Sequence, residues 1–442
     1  MNVHNAIAFA ASTALASMAF AQAQPTDQQM LDRLRELESK FQVMEAANTA
    51  NRTPVRDAAD VARTASAVQN DAAARSASTA GIDSKGAFLR SSDGLFELRP
   101  DVQFQFRSVM NHAQEADTDG DDVSEFGFEI RRLKLGITGH AFTEDLKYTF
   151  VWVANRQGGG ITLEQANATY KFAPDWAFKF GQYKEPTFHE EINSGKRLMA
   201  ADRSIANEWL GGGLTDFVQG VALIYGGMAS DNPLNVELGF TDGINSDNTR
   251  AANPTLDSDW GVYARADYKL GGDWKAYSDF TAMGTTQDLA VVGGGLSYTQ
   301  TGDTDLYLGT VDFQFENASG LGVFVAGLLQ YIDNGDNVTN YGGVAQVSYL
   351  LPDNQNWEIF GRYSVVIFDE DVAVGGGSED TFHEITAGVN YYFGENGKYG
   401  HKAKMTIDVG YLPNGSLEDT GLGIVESEEG QLYVRGQFQL LI

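Results

Sequence analysis

The sequence predicts an all-β protein, a 16-stranded antiparallel transmembrane β-barrel preceded by a short N-terminal coiled-coil helix. Apolar residues alternate with polar or small residues from about residue 86 to the C-terminus. The alternating runs are about 10–14 residues long, whereas strands of globular proteins average about 5–6 residues. Short turns alternate with long loops along the chain. A soluble sandwich also alternates, but long strands joined by turns and loops of unequal length are typical of a membrane barrel.

Residues 1–23 are predicted to be a secretory signal peptide. Residues 6–21 form an uncharged apolar run, and Pro25 ends the segment. Ala19 and Ala21, or Ala21 and Ala23, offer small residues for cleavage. The segment before the run carries no Lys or Arg, which departs from the usual signal pattern. The alternative is an amphipathic or membrane-spanning N-terminal helix. The run is short for a spanning helix, which needs about 20 residues.

Residues 24–47 are predicted to form a periplasmic coiled-coil stalk. Its apolar side chains recur at spacings of 4, 3, 4 and 3, at Met30, Leu34, Leu37, Phe41 and Met44. This is the spacing of a heptad seam, although a coil this short needs support from the rest of the protein. The alternative is one amphipathic helix that packs on its own domain. Residues 48–85 are mostly small or polar and are predicted to be a linker.

Residues 86–442 are predicted to form the barrel. We place its strands near residues 94–109, 125–138, 145–155, 161–172, 177–184, 216–228, 233–242, 258–270, 288–299, 304–316, 320–332, 341–351, 356–367, 381–394, 400–412 and 429–442. The segment 271–287 could hold another strand, but bacterial barrels close with an even number of strands. We therefore interpret it as an elaborated turn. A barrel of sixteen strands leaves an aqueous channel.

Three segments of the barrel carry a family resemblance. They read GAFLRSSDGLFELRPDVQFQFR (86–107), FGFEIRRLKLGITGHAFTEDLKYTF (126–150) and ATYKFAPDWAFKFGQYKEPTFHEE (168–191). Together they resemble the phosphate-selective porin O/P family, and the resemblance continues more weakly to the C-terminus. It implies a homotrimeric, sixteen-stranded outer-membrane porin with an N-terminal periplasmic extension and an anion-binding pore. The last residue, Ile442, departs from the terminal Phe usual in such barrels.

The longest connection, residues 184–215, is a candidate constriction loop. Its apolar residues, among them Phe188, Ile192 and Trp209, would be unusual in a purely solvated loop. The loop could therefore fold inward and narrow the lumen. The alternative is a long external loop or a trimer contact. If the loop folds inward, its basic residues Lys184, Lys196, Arg197 and Arg203 would face its acidic residues.

Apolar residues occupy even-numbered positions before Arg131 and Arg132 and odd-numbered positions after them. Phe126, Phe128 and Ile130 precede the switch, and Leu133, Leu135 and Ile137 follow it. A β-bulge would explain the switch and would aim both arginines inward. Basic residues that could form a lumen stripe with them are Lys134, Lys147, Lys171 and Lys179. Such a row stabilises anions by charge and by donated hydrogen bonds. The alternative is a structural ladder that pairs with Glu125 and Glu129.

Charge is unevenly distributed along the chain. The whole chain carries 31 Lys and Arg against 60 Asp and Glu, a net charge of −29, which disfavours nucleic acid as a partner. Residues 81–215 carry 15 basic and 20 acidic residues, whereas residues 216–442 carry 9 and 32. A basic constriction is therefore possible within an acidic protein. The acidic tract from Asp117 to Asp122 lacks the rest of an EF-hand and is expected to be a solvated external loop.

These features predict passive diffusion of small hydrophilic solutes through an outer-membrane channel, with a secondary preference for anions such as phosphate. No cofactor, metal site or catalysis is expected, because the chain has no cysteine, no metal-ligand histidine spacing and no hydrolase motif. The expected partners are outer-membrane lipid, lipopolysaccharide and two further copies of the chain. The alternatives are a cation-preferring porin, a structural outer-membrane anchor and, least favoured, an outer-membrane hydrolase.

Overall fold

The computed structural model describes residues 27–50, 63–69, 78–116, 121–155, 158–212, 217–227, 232–244, 246, 258–335, 337–374, 377–419 and 421–442. It divides into two compact units, Met1–Arg75 and Ser76–Ile442. The predicted signal peptide and most of the tract Asp117–Asp122 lie outside the described residues.

The first unit contains helix α1 (Asp27–Ala50) and a short helix over residues 63–69. Helix α1 covers most of the predicted stalk. Three residues of the proposed seam, Leu34, Leu37 and Phe41, are 55%, 64% and 65% exposed. The seam is thus available for a partner helix, and its pairing stays a prediction. Among the described residues, no helix is both long enough and apolar enough to cross a bilayer.

The described part of the second unit contains eighteen strands. Their bounds are β1 Ser78–Asp83, β2 Gly86–Ser91, β3 Glu97–Ala113, β4 Val123–Ala141, β5 Thr143–Ala154, β6 Ile161–Ala173, β7 Trp176–Lys184, β8 Phe217–Gly226, β9 Leu234–Thr241, β10 Trp260–Gly271, β11 Leu289–Thr301, β12 Thr304–Glu316, β13 Leu321–Asp333, β14 Asn337–Leu350, β15 Trp357–Val374, β16 Gly377–Tyr392, β17 Ala403–Leu412 and β18 Gln431–Leu441.

Strands β3 to β18 form a closed antiparallel barrel of sixteen strands. Each pairs with its chain neighbour, and β18 closes the ring by pairing with β3. The sixteen predicted strands are confirmed. The segment 271–287 is a turn with one short helix, Ala276–Ser278, so the parity argument is confirmed as well. Where β18 meets β3, the Ile442 N–H donates to the Val102 carbonyl over 3.0 Å, so this residue takes part in closing the barrel.

The hairpin of β1 and β2 corrects the predicted boundary of the linker. Residues 78–83 fall within the predicted linker 48–85, yet they form a strand that pairs with β2. Asp83 accepts two hydrogen bonds from the Arg99 guanidinium, at 2.9 and 2.8 Å. Arg99 also lies over the Phe88 ring, 5.1 Å from its centroid. Ser78–Asp83 contains mostly small residues, so no alternating apolar pattern marks it as a strand. Its stability comes from partners outside it, namely β2 and Arg99.

The barrel turns its polar face inward. Along β17, the alternate residues Lys404, Thr406 and Asp408 are buried, while Met405 and Ile407 are exposed. Neighbouring strands follow the same alternation, so the outer surface is apolar and the buried interior is polar. This is the reverse of a soluble sandwich and matches a barrel whose outside contacts lipid.

Candidate pore constriction

The connection after β7 folds into the barrel and packs against its inner wall. Its apolar residues Phe188, Leu198, Met199, Ile205 and Leu210 are at most 2% exposed. They form one cluster with inward-facing residues of the wall, including Phe324, Val344, Phe360 and Phe382. The external-loop alternative is therefore wrong for residues 185–212, because their apolar side chains are buried within the barrel.

Two glycines of the wall allow the loop to approach closely. A Cβ atom on Gly342 of β14 would lie 2.6 Å from Leu210 Cδ1, and one on Gly295 of β11 would lie 2.2 Å from the Thr187 carbonyl oxygen. Any larger residue at these positions would push the loop away from the wall. The two glycines therefore leave the space that the loop occupies.

Polar groups of β15–β18 fix the backbone of the loop. The Ala201 N–H donates to Asp408 over 2.9 Å, and the Ala206 N–H donates to the Ser364 hydroxyl over 3.1 Å. In the other direction, Lys404 donates to the Leu198 carbonyl over 2.6 Å. These bonds satisfy backbone groups that would otherwise be buried without partners, which is costly. They hold the loop against one side of the lumen.

The turn 271–287 also reaches inward and contacts the loop. The Tyr277 ring stacks on the His189 ring, with centroids 4.0 Å apart, and Phe280 packs on Phe324 at 4.6 Å. The Arg197 guanidinium donates to the Ser278 carbonyl over 3.3 Å. The loop is therefore held between the wall and a segment that comes from the short-turn end of the barrel. Trp274, Tyr277 and Phe280 of the turn 271–287 are buried. Three aromatic residues in a predicted turn were the sequence signal for this packing.

The structure contains the predicted bulge at Arg131. Gln105 pairs with Arg132 and Phe106 pairs with Ile130, so Arg131 is the extra residue. Both arginines reach Asp202 of the inward loop: Arg131 Nε lies 2.9 Å and Arg132 Nη2 2.6 Å from its carboxylate oxygens. Arg107 of β3 binds the same carboxylate. Three guanidiniums thus share Asp202, which we call the arginine cluster.

The arginine cluster keeps Asp202 ionised. Burial alone would raise the pKa of this carboxyl, but the charges of Arg131, Arg132 and Arg107 outweigh burial and hold the pKa well below its usual range. Arg107 also donates to Glu129, with Nε 2.6 Å from its carboxylate. The structural ladder proposed as the alternative is therefore only partly present, since Glu129 binds Arg107 and the bulge arginines bind the loop.

Beside the arginine cluster, a cavity of 930 Å³ follows the inner wall of β3–β6. Six basic residues line it, Arg131, Arg132, Lys134, Lys184, Lys196 and Arg203. Four acidic residues line it, Asp101, Glu129, Glu164 and Glu208. Several of these groups pair: Lys184 lies 2.5 Å from Glu191, Lys196 lies 3.0 Å from Asp101, and Lys134 binds Glu164. Arg107, Asp202 and Glu191 contact these lining groups, and with them the site carries seven cations against six anions.

The other predicted site residues lie elsewhere. Lys147 and Lys171 line a second cavity of 490 Å³. It continues the first along the wall, because Thr149 lines the first cavity and Lys147, two residues away on β5, lines the second. Lys179 binds Glu237 at 2.5 Å and lies over the Tyr183 ring. Arg197 points to the turn 271–287, so it does not join the other loop cations at the cavity.

Sequence reasoning missed the central role of Arg107. This side chain is fully buried and binds both Asp202 and Glu129. A signal was present, because Gln103, Gln105 and Arg107 alternate with Phe104 and Phe106 and therefore face inward. Arg435 was likewise overlooked; it pairs with Asp408 at 2.8 Å behind the loop.

Comparisons with known proteins agree with this architecture. The family model described as phosphate-selective porin O and P matches residues 101–253, so the resemblance is confirmed over that part of the chain. No curated protein matches the sequence. Solved structures with a similar fold include an anion-selective porin from Comamonas acidovorans, with 13% identity, a TM-score of 0.53, and coverage of 78% of this chain and 100% of that one.

Two further structures show the same fold. OmpF of Salmonella typhi, in complex with daunomycin, has 16% identity and a TM-score of 0.52, with coverage of 78% of this chain and 98% of that one. OprB of Pseudomonas putida at high pH has 11% identity and a TM-score of 0.52, with coverage of 78% and 94%. At these identities the likeness concerns the fold of the barrel.

Proposed function

We propose that this chain, a barrel of the porin fold that carries the phosphate-selective porin match, is an outer-membrane diffusion channel that favours small anions such as phosphate. The path follows the wall of β3–β6, where the 930 Å³ cavity lies. The opposite wall is covered by the inward loop. No step of this function requires bond chemistry, because the channel filters solutes by size and charge.

The arginine cluster is the observation that carries the proposal. Three guanidiniums meet at Asp202, and Glu129 supplies a second carboxylate that contacts Arg107. The excess of positive charge lies beside the cavity, where Lys134 and Lys196 are paired with Glu164 and Asp101. An anion that passes this wall exchanges part of its hydration for donated hydrogen bonds from charged donors.

Planar-bilayer recording of the purified full-length protein tests the proposal. In a gradient of potassium chloride, the sign of the reversal potential reports whether chloride or potassium passes more easily. We expect anion preference, and we expect Lys134→Gln to reduce it because Glu164 then loses its partner at the cavity. Lys398→Gln is the matched control, since Lys398 lies on an exposed turn away from the cavity lining. Cation preference in the unmodified channel would overturn the proposal.

Cation preference is the second candidate, and the charge distribution favours it. Residues 216–442 carry 9 basic and 32 acidic residues, so this part of the chain is strongly acidic. The same reversal potential separates the two, because the two signs are opposite. A structural anchor would need no open path, and the absence of stepwise conductance would favour it.

The outer surface supports a proposed homotrimer. On β3 and β4, Phe106 stacks on Phe128 at 5.7 Å, and Phe126 packs on Phe128 at 5.0 Å. These three side chains form a phenylalanine patch. The outer surface of β11–β13 instead carries a band of tyrosines, Tyr298, Tyr307 and Tyr331. Tyrosine hydroxyls suit the membrane interface, where lipid and lipopolysaccharide headgroups lie. We assign the phenylalanine patch to the contact between copies.

Cross-linking in detergent tests the assembly and the stalk together. We expect trimers from the full-length chain and fewer trimers when residues 25–47 are deleted, because the deletion removes the exposed seam of α1 from every copy. Replacement of Phe128 with Asp should weaken the trimer whether or not the stalk is present. Equal cross-linking in all four proteins would count against both contacts.

A further inference from the structure

One side of the basic cavity is apolar, which is unusual for the wall of an aqueous lumen. Val151 and Val153 of β5 line it together with Ala154, and Ile192 of the inward loop lines it as well. The register places Val153 directly opposite Lys134 and Val151 directly opposite Gly136. The apolar strip is therefore adjacent to the cations.

The strip belongs to the lumen face of the barrel. Lys147, Thr149, Val151 and Val153 alternate with Leu146, Tyr148, Phe150 and Trp152, which face outward. The inward sequence along β5 thus changes from charged to polar to apolar. Gly136 carries no side chain beside Val151, and the next side chain on that flank is Asp101, 3.4 Å from where a Cβ atom on Gly136 would stand.

We propose that this cavity binds small organic carboxylates with an apolar body, in preference to anions that lack one. The inference rests on the proposed anion channel and names its solute class. The carboxylate of such a solute pairs with Lys134 or Arg132 while its hydrocarbon part covers Val151 and Val153. An inorganic anion of equal charge gains only the first contact.

The preference should grow with the apolar area of the solute. Complete burial of a methylene improves binding about fourfold, since it contributes about 0.8 kcal/mol. A wall that covers one side of the solute supplies about half of that free energy, which is about twofold for each methylene. Hexanoate carries four methylenes that formate lacks, so it should bind about sixteenfold more tightly, although both carry one negative charge at pH 7.

Block of chloride current by added carboxylates measures this preference in planar bilayers. The series formate, butyrate and hexanoate keeps the charge constant and varies only the apolar body. Val151→Thr together with Val153→Thr nearly preserves side-chain volume and adds hydroxyls, so it should lower the hexanoate-to-formate ratio about threefold. Val292→Thr is the matched control, because Val292 is 48% exposed on the outward face.

The outcomes separate this inference from the proposed function. A flat series in a channel that still prefers anions overturns the solute class alone. A flat series in a cation-preferring channel overturns the anion channel itself. An unchanged ratio in both the double variant and the single variant Val151→Thr would place the apolar contact away from β5 and also overturns the inference.

Discussion

The two walls of the lumen use charged residues in opposite ways. On the β15–β18 side, Arg362 pairs with Glu384 at 2.9 Å and Arg435 pairs with Asp408 at 2.8 Å, and the inward loop covers both pairs. On the β3–β4 side, three arginines share Asp202 next to an open cavity. Balanced pairs stabilise the fixed loop, whereas an unbalanced cluster leaves positive charge for a passing solute.

The net charge of each lumen wall therefore depends on whether the inward loop covers that wall. A buried charge needs a partner, so the covered wall is close to neutral. The arginine cluster is itself largely buried, but it borders the open cavity, where water screens its excess charge. The net charge of −29 therefore does not determine the charge beside the path.

Asp202→Asn should give the largest effect. It leaves three guanidiniums without their shared carboxylate, and the loss of a buried ion-pair partner costs about 3–5 kcal/mol. Thermal unfolding in detergent should show this loss, and channels that remain folded should prefer anions more strongly. Because the pKa of Asp202 is held well below its usual range, acidification from pH 7 to pH 5 should not reproduce the effect.

Glu384→Gln on the covered wall is the control for Asp202→Asn. It removes the partner of Arg362 and should also reduce thermal stability. It should leave the reversal potential unchanged, because the loop separates this pair from the cavity. Equal shifts of the reversal potential in both variants would show that the two walls are not electrically distinct.

Leu210→Ala and Ile192→Ala compare the packed and open faces of the loop. Leu210 is fully buried against the wall, so truncation should cost about 2–5 kcal/mol of unfolding free energy. Ile192 lines the cavity and should cost less while it widens the path. We expect single-channel conductance to rise only for Ile192→Ala. A conductance increase for Leu210→Ala alone would place the path on the other side of the loop.

The folding stability of the covered side should depend on pH because of Asp279 in the turn 271–287. Burial raises the pKa of Asp279 to about 7, against partial opposition from its hydrogen bonds to Thr281 and from the charge of Arg197. Between about pH 4 and pH 7 the folded protein therefore holds a proton that the unfolded chain has lost, so stability falls as the pH rises through this window.

Asp279→Asn should remove that dependence. The unmodified barrel should unfold at a higher temperature at pH 5 than at pH 8, with a difference in unfolding free energy of about 2 kcal/mol. The variant should show a smaller difference between the two pH values. An unchanged difference would assign the titration to groups other than Asp279.

Alternation and parity predicted much of this molecule from sequence. A period of two residues locates all sixteen barrel strands, and the switch of the apolar face at Arg131 and Arg132 locates the bulge. The sequence could not place Asp202 between those arginines, because the loop has no periodicity that fixes its path. It also could not show that Arg197 turns away from its neighbour Lys196, since that depends on a carbonyl of a distant turn.

Lys196 and Arg197 give the smallest and most specific test of the comparison. They are adjacent in the loop, yet Lys196 lines the cavity beside Asp101 while Arg197 binds Ser278 on the covered side. Lys196→Gln should therefore reduce anion preference slightly, because Asp101 then remains unpaired at the path. Arg197→Gln should leave the reversal potential unchanged, although it removes a hydrogen bond that holds the loop to the turn. If Arg197→Gln produced the larger shift, the ionic path would have to include the covered side, and the division of the lumen into two walls would fail.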